Sequence, residues 1–230
     1  MKKRIKFQGF IIFLAVLALI FYSRYLLRTP QENALVNLLN ALGFILALFG
    51  FFLRITARGY KAQLNPDGKT LITKGPYAVM RNPMYFGTLL IGLGIILVLF
   101  RWWVSVIFLI IYLCIYLPQI NREEGILANR FPGAFKDYCK NTPKFFPSIA
   151  NLFRPSCGNG LCFKFVWIKK ELPSLIITFI FIVGVQIWQD IKLLGYINYR
   201  AKIFEIILPA GIFFLVVLLA YAKKSVSGEK

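Results

Sequence analysis

Apolar residues run along this chain in stretches long enough to cross a bilayer, and polar residues gather between them. A helix needs roughly 20 apolar residues to traverse a hydrocarbon core of about 30 Å. Residues 7–27 and 34–53 each supply one such run. Residues 86–117 are apolar apart from Arg101, which is too long for one crossing. They predict two helices in a tight hairpin that turns at Arg101-Trp102-Trp103, residue types that suit the lipid–water interface. Each arm is short, which implies tilt or a locally thin bilayer. Residues 172–188 and 203–222 add two crossings, and Pro209 should kink the last. The expected fold class is all-α: a polytopic membrane helical bundle of about six transmembrane helices. Nothing repeats at a fixed period. The Pro- and Gly-bearing stretch 151–160 is the plausible joint. It suggests a unit over 1–150, a loop over 151–163 and two additional transmembrane helices over 164–230.

Composition agrees with the pattern. Hydrophobic residues are 58% of the 230 and charged residues 16%, against roughly 25% charged in soluble domains. An ordinary soluble domain and a disordered chain are both excluded. The formal charge of +19 would suggest nucleic acid in a soluble protein. Here the basic residues lie between apolar runs, so no nucleic-acid partner is expected, and the bilayer is the expected partner. With six crossings, 22 of the 28 Lys and Arg fall on the side of both termini. Six (Arg24, Arg28, Arg101, Lys192, Arg200 and Lys202) fall on the other. That split predicts cytoplasmic termini and two long polar segments in the cytoplasm. Residues 1–6 are basic and imitate a signal peptide, but the run after them is long and lacks a small-residue cleavage site, so an uncleaved first span is expected. Usage rich in Lys, Ile and Phe leans towards a bacterial inner membrane.

The chain has no His. That excludes a Ser-His-Asp triad, a Cys-His pair and His-ligated metal or haem. Cys114 reads as a small apolar filler inside a span. Cys157 and Cys162 bracket a Gly-rich turn that the charge count places in the reducing cytoplasm. A metal there would need two more ligands, so no metal site is expected.

Two polar segments flank the hairpin. In the first, Asn65-Pro66-Asp67-Gly68 is a turn signal, Gly75-Pro76 breaks regular structure, and Asn82-Pro83 forces an extended residue followed by a helix start. Tyr77, Arg81, Asn82 and Tyr85 then cluster where free N–H groups and the positive end of a helix dipole face a polar ligand. The alternative is a cap at the membrane edge. In the second segment, Arg122-Glu123-Glu124 follows the hairpin and runs on to Tyr138 and Phe146-Pro147. Adjacent carboxylates beside a span are costly unless partnered. They either pair with Arg122 and Arg130 on a solvated helix or face the first corner. A short hairpin brings both corners to one membrane face, making a pocket of donors, a guanidinium and carboxylates beside lipid.

These residues resemble the membrane methyltransferase superfamily that includes isoprenylcysteine carboxyl methyltransferase and phospholipid N-methyltransferases. The pattern there is Gly-Pro-Tyr, then Arg-His-Pro-x-Tyr-x-Gly opening a hairpin, then Glu-Glu, then an aromatic tail ending in Pro. This chain has Gly75-Pro76-Tyr77, Arg81-Asn82-Pro83-Met84-Tyr85-Phe86-Gly87, Glu123-Glu124, Leu127, Phe131, Tyr138 and Phe146-Pro147, in order, across residues 71–147. The resemblance makes 1–150 a membrane methyltransferase-like core with a cytoplasmic cofactor pocket for S-adenosylmethionine. It implies Tyr77, Arg81, Asn82, Pro83, Tyr85, Glu123 and Glu124 as cofactor-binding residues, with Arg81, Asn82 and Arg122 carrying catalysis. A lipophilic or lipid-modified methyl acceptor is implied with it. Asn82 stands where the family has His, so this position cannot act as a base near neutral pH. That favours a carboxylate or thiolate acceptor over an amine. Two other readings remain: an NADPH-dependent membrane reductase of related fold, and an inactive membrane scaffold.

Overall fold

The structure is a computed structural model that describes residues 14, 17–28, 34–148, 151, 167–168 and 171–194. Within them the chain is helical, with a single isolated bridge pairing Leu27 and Phe100. The helices are α1 (Leu17–Leu26), α2 (Ala34–Leu64), α3 (Pro76–Val79), α4 (Pro83–Leu99), α5 (Trp102–Arg130), α6 (Pro132–Asn141) and α7 (Leu172–Leu194). Three are long and apolar enough to cross a membrane: α2, α5, and α7 through Leu172–Gln189. α1 and α4 are apolar but shorter. The expected crossing at 203–222 with Pro209, the 1–6 tail and the Cys157–Cys162 turn lie outside the described residues.

The hairpin forms where expected. α4 ends at Leu99, Phe100 and Arg101 make the turn, and Trp102 starts α5. The two arms differ in length, however. α4 has 17 residues, about 25 Å. α5 has 29 and continues without a break through Glu123 and Glu124 to Arg130, so the second corner is a helical extension of a span. α2 likewise runs eleven residues beyond the apolar stretch 34–53, carrying Arg54, Arg58 and Lys61 on helix. A buried carboxylate meets two of these cations. Glu171, just before α7, meets Arg54 at 3.2 Å and Arg58 at 2.7 Å, and its side chain is 1% exposed.

α4 sits at the centre and is apolar on every face, as a helix surrounded by others must be. Small residues let it meet α2 at backbone distance. A Cβ added to Gly50 would stand 2.6 Å from the Gly87 carbonyl, and one added to Gly43 would stand 2.7 Å from that of Gly94. The two crossings are two helical turns apart, so both lie on one face of each helix, as in close packing between membrane helices. Around this contact, Leu53, Met80, Phe86, Leu89, Leu90 and Tyr112 form one apolar cluster. Phe51, Ile55, Ile91 and Ile168 form another, and Leu27, Val98, Leu99, Ile182 and Val185 a third. α5 packs less fully and turns Ile107, Ile110 and Ile111 outward. Cys114 is on that exposed face, so it does not fill the core.

Candidate functional site

The chain from Gly75 to Tyr85 is shaped by its prolines and one glycine. Gly75 adopts φ 64°, a left-handed value that favours glycine. Pro76 then opens the single turn α3, Met80 is extended, and Pro83 opens α4 after Asn82. The expected helix start is therefore at its predicted place. Residues beyond the hairpin hold this corner. The Arg81 amide donates to the Pro143 carbonyl at 2.9 Å, and the Ser148 amide to that of Val79 at 3.2 Å. The Tyr138 hydroxyl donates to the Tyr77 carbonyl at 2.6 Å. Asn151 donates to the carbonyls of Ala78 and Asn141.

The two corners meet. Asn82 Nδ2 donates to Glu124 Oε1 at 2.9 Å and to the Lys144 carbonyl at 3.0 Å. Arg81 Nε lies 3.4 Å from the same Glu124 oxygen, and Lys144 Nζ 3.6 Å from the other. The Arg81 and Glu124 side chains are each 14% exposed. Glu123 accepts from the Tyr85 hydroxyl and from Gln119 Nε2, both at 2.6 Å. Of the two expected arrangements, the carboxylates take the one that faces the first corner, not the pairing with Arg122 and Arg130. Arg130 bonds the Gly68 carbonyl instead. Both carboxylates lie near the start of α4, where the helix dipole favours negative charge.

A half-open cleft of about 130 Å³ runs between the corners. Tyr77, Arg81, Asn82, Pro83, Tyr85, Glu123 and Glu124 all line it, so seven sequence-predicted residues converge. Arg122 does not. It is exposed on α5 and outside the lining, because the face that carries Glu123, Glu124 and Leu127 inward turns its neighbour away. The cleft also uses Lys61, Asn65 and Thr70 from the end of α2 and the turn after it, and Phe135 and Tyr138 from α6. Sequence reasoning did not place Lys61, Gln119 or Lys144 here. Gln119 had a signal, one helical turn before Glu123.

Burial shapes the chemistry of two phenols. It raises the Tyr77 hydroxyl well above the usual phenol range, and the charge of Glu123 adds to this. It raises Tyr138 in the same direction, with Tyr77 contributing. Both stay neutral. Arg81 Nε is buried without a hydrogen bond, and the same guanidinium touches the Cys139 thiol.

Residues 34–133 match the phospholipid methyltransferase family. The match covers 100 of the chain's 230 residues. The family segment contains α2 to α5 and both corners of the cleft. Tyr138, Lys144 and Asn151 lie outside it and still brace those corners, and Glu171, also outside it, pairs with Arg54 and Arg58 of α2. Two curated relatives align over part of their length. The cobalt-zinc-cadmium resistance protein CzcN of Cupriavidus metallidurans is 35% identical over 81 residues, 35% of this chain and 37% of that protein. The nickel-cobalt-cadmium resistance protein NccN of Alcaligenes xylosoxydans xylosoxydans is 34% identical over 86 residues, 36% of this chain and 38% of that protein. The aligned chain spans little more than a third of the length of these relatives. No solved structure matches.

Proposed function

We propose that this protein is an integral membrane methyltransferase. It would take a methyl group from S-adenosylmethionine at the cytoplasmic face and pass it to a membrane-borne acceptor, as isoprenylcysteine carboxyl methyltransferase does. One observation carries the reading: Tyr77, Arg81, Asn82, Pro83, Tyr85, Glu123 and Glu124 line a single cleft at one end of a membrane bundle. The 22-to-6 charge split supports a cytoplasmic location for that end.

The residues fit the donor's groups. Arg81 has a buried nitrogen without a hydrogen bond, suited to a carboxylate. Glu123 and Glu124 keep acceptor capacity for an ammonium or a ribose diol. Tyr77, neutral and aromatic, suits the face of a sulfonium. The closed part of the cleft is smaller than the roughly 300–1,000 Å³ of ordinary ligand pockets. A nucleoside-sized molecule therefore occupies the open mouth as well, beside Lys61, Asn65 and Thr70.

The donor supplies an activated methyl carbon: a lone pair of the acceptor bonds to it as the carbon–sulfur bond breaks and that electron pair returns to sulfur. The chain's own part is to hold both reactants in line and to keep water out. Asn82 fixes Glu124 and ties it to the 142–148 segment through the Lys144 carbonyl. Tyr85 and Gln119 fix Glu123. Leu71, Ile72, Leu127 and Phe135 supply apolar wall. No His is present to take a proton, and both carboxylates are already engaged. An acceptor that arrives as an anion needs no base, and Lys61 lines the cleft with no partner among the described residues. A carboxylate or thiolate acceptor fits these features better than an ammonium.

The test is calorimetric titration of purified protein with S-adenosylhomocysteine, followed by transfer of radiolabelled methyl to prenylated-cysteine peptides and to phospholipid extracts. Binding with label in the peptide is expected. Label in the phospholipid overturns the acceptor class, and absence of binding overturns the methyltransferase reading.

A further inference from the structure

At the end of the bundle away from the cleft, cations meet from three parts of the chain. α1 ends at Leu26 beside the α4–α5 turn: the Arg101 amide donates to the Leu26 carbonyl and the Arg28 amide to that of Leu99, both at 3.0 Å. The Arg28 guanidinium donates to the Leu97 carbonyl at 2.7 Å and to that of Phe100 at 3.3 Å. The Arg101 guanidinium donates to the carbonyls of Leu27 and Arg24, both at 3.4 Å. From α7, Gln189 donates to the Arg28 carbonyl, and Lys192 donates to the Ser23 hydroxyl at 2.8 Å while lying over the Trp188 ring.

Four positive charges therefore share one corner: Arg24, Arg28, Arg101 and Lys192. Among the described residues none of them forms an ion pair. The partners of Arg28, Arg101 and Lys192 among the described residues are neutral dipoles and an aromatic ring, which position these three side chains. Arg24 and Arg101 are exposed, and the Arg24 side chain has no partner among the described residues. The corner lies at the edge of the apolar slab. Tyr22, Tyr25 and Trp102, at 61%, 69% and 76% exposure, surround it, as aromatic residues do at headgroup level. Four cations at that depth, none in an ion pair among the described residues, suit an anion that the bilayer itself supplies.

We propose that Arg24, Arg28, Arg101 and Lys192 form a binding site for the phosphodiester headgroup of an anionic phospholipid, on the membrane face opposite the cleft. A zwitterionic lipid offers the same phosphate but adds a cation of its own to four already present. The site therefore selects for net negative headgroups.

The test uses the full chain in neutral detergent. It is titrated with phosphatidylglycerol, phosphatidylcholine or inorganic phosphate, and retained lipid is counted by native mass spectrometry. Phosphatidylglycerol should be retained in preference to phosphatidylcholine. Arg24→Gln, which breaks no side-chain hydrogen bond, should lower that preference about fivefold, the effect of one basic residue at a membrane surface. Arg24→Lys should keep it. Lys136→Gln, an exposed position on α6 at the cleft end, should leave it unchanged. Equal retention of the two lipids overturns the proposal. So does an Arg24→Gln protein with undiminished preference, or an equal loss in Lys136→Gln, which marks diffuse attraction. Displacement of the lipid by millimolar inorganic phosphate assigns the corner to a free anion and overturns the lipid assignment.

Discussion

The two ends of the bundle hold their cations by different means. At the cleft end, Arg54, Arg58, Arg81 and Lys144 each meet a carboxylate, from Glu171 or Glu124. At the other end, Arg28, Arg101 and Lys192 meet carbonyls, a hydroxyl and an aromatic ring, and the Arg24 side chain has no partner among the described residues. A chain with only nine acidic residues has placed Glu123, Glu124 and Glu171 at one end. The difference teaches where charge is structural. Arg54 and Arg81 are mostly buried, and a buried cation without a counter-charge costs several kcal/mol. The far-end cations reach water and headgroups, so neutral partners are enough to position them.

The strongest way to break this contrast is at Glu171. Glu171→Ala removes the shared counter-charge of Arg54 and Arg58. It should cost about 3 kcal/mol of unfolding free energy in detergent, the low end for a broken buried pair, because Arg58 can turn to water. A cost under about 1 kcal/mol would mean that the triad is solvated like the far end. Next comes Glu124→Gln, which keeps the shape and removes the charge facing Arg81 and Lys144. Affinity for S-adenosylhomocysteine should fall about 10- to 150-fold, equivalent to roughly 1.5–3 kcal/mol, by calorimetric titration. Binding equal to wild type would remove Glu124 from the cofactor site.

Asn82→Ala loses a charge-assisted bond to Glu124 and a neutral one to the Lys144 carbonyl, both of which act on the cofactor only through positioning. The same titration should show a loss of about 2- to 10-fold. Asn82→His, which retains a donor, should bind close to wild type. The smallest effect belongs to the far end. Arg101→Gln should change unfolding free energy by only about 0.5 kcal/mol, as at exposed positions generally. A larger loss would show that its bonds to the Leu27 and Arg24 carbonyls lock α1 to the hairpin.

The sequence by itself determined the elements set by local chemistry. Apolar length gave the helices, and the interruption at Arg101 gave the turn. Asn82-Pro83 gave the start of α4, since proline's fixed φ and missing N–H cost least in the first turn of a helix. The family resemblance carried by the motifs across 71–147 pointed to the seven residues that line the cleft. What it did not determine depends on partners distant in sequence. That Arg54 and Arg58 of α2 share a buried counter-charge depends on Glu171, more than a hundred residues on. That Glu124 faces Arg81 and Lys144, while Arg122 and Arg130 turn elsewhere, depends on the rotation of α5 about its axis, fixed by packing against α4. Local propensity sets where a helix begins. Only burial against its neighbours decides which face it shows and which charges meet.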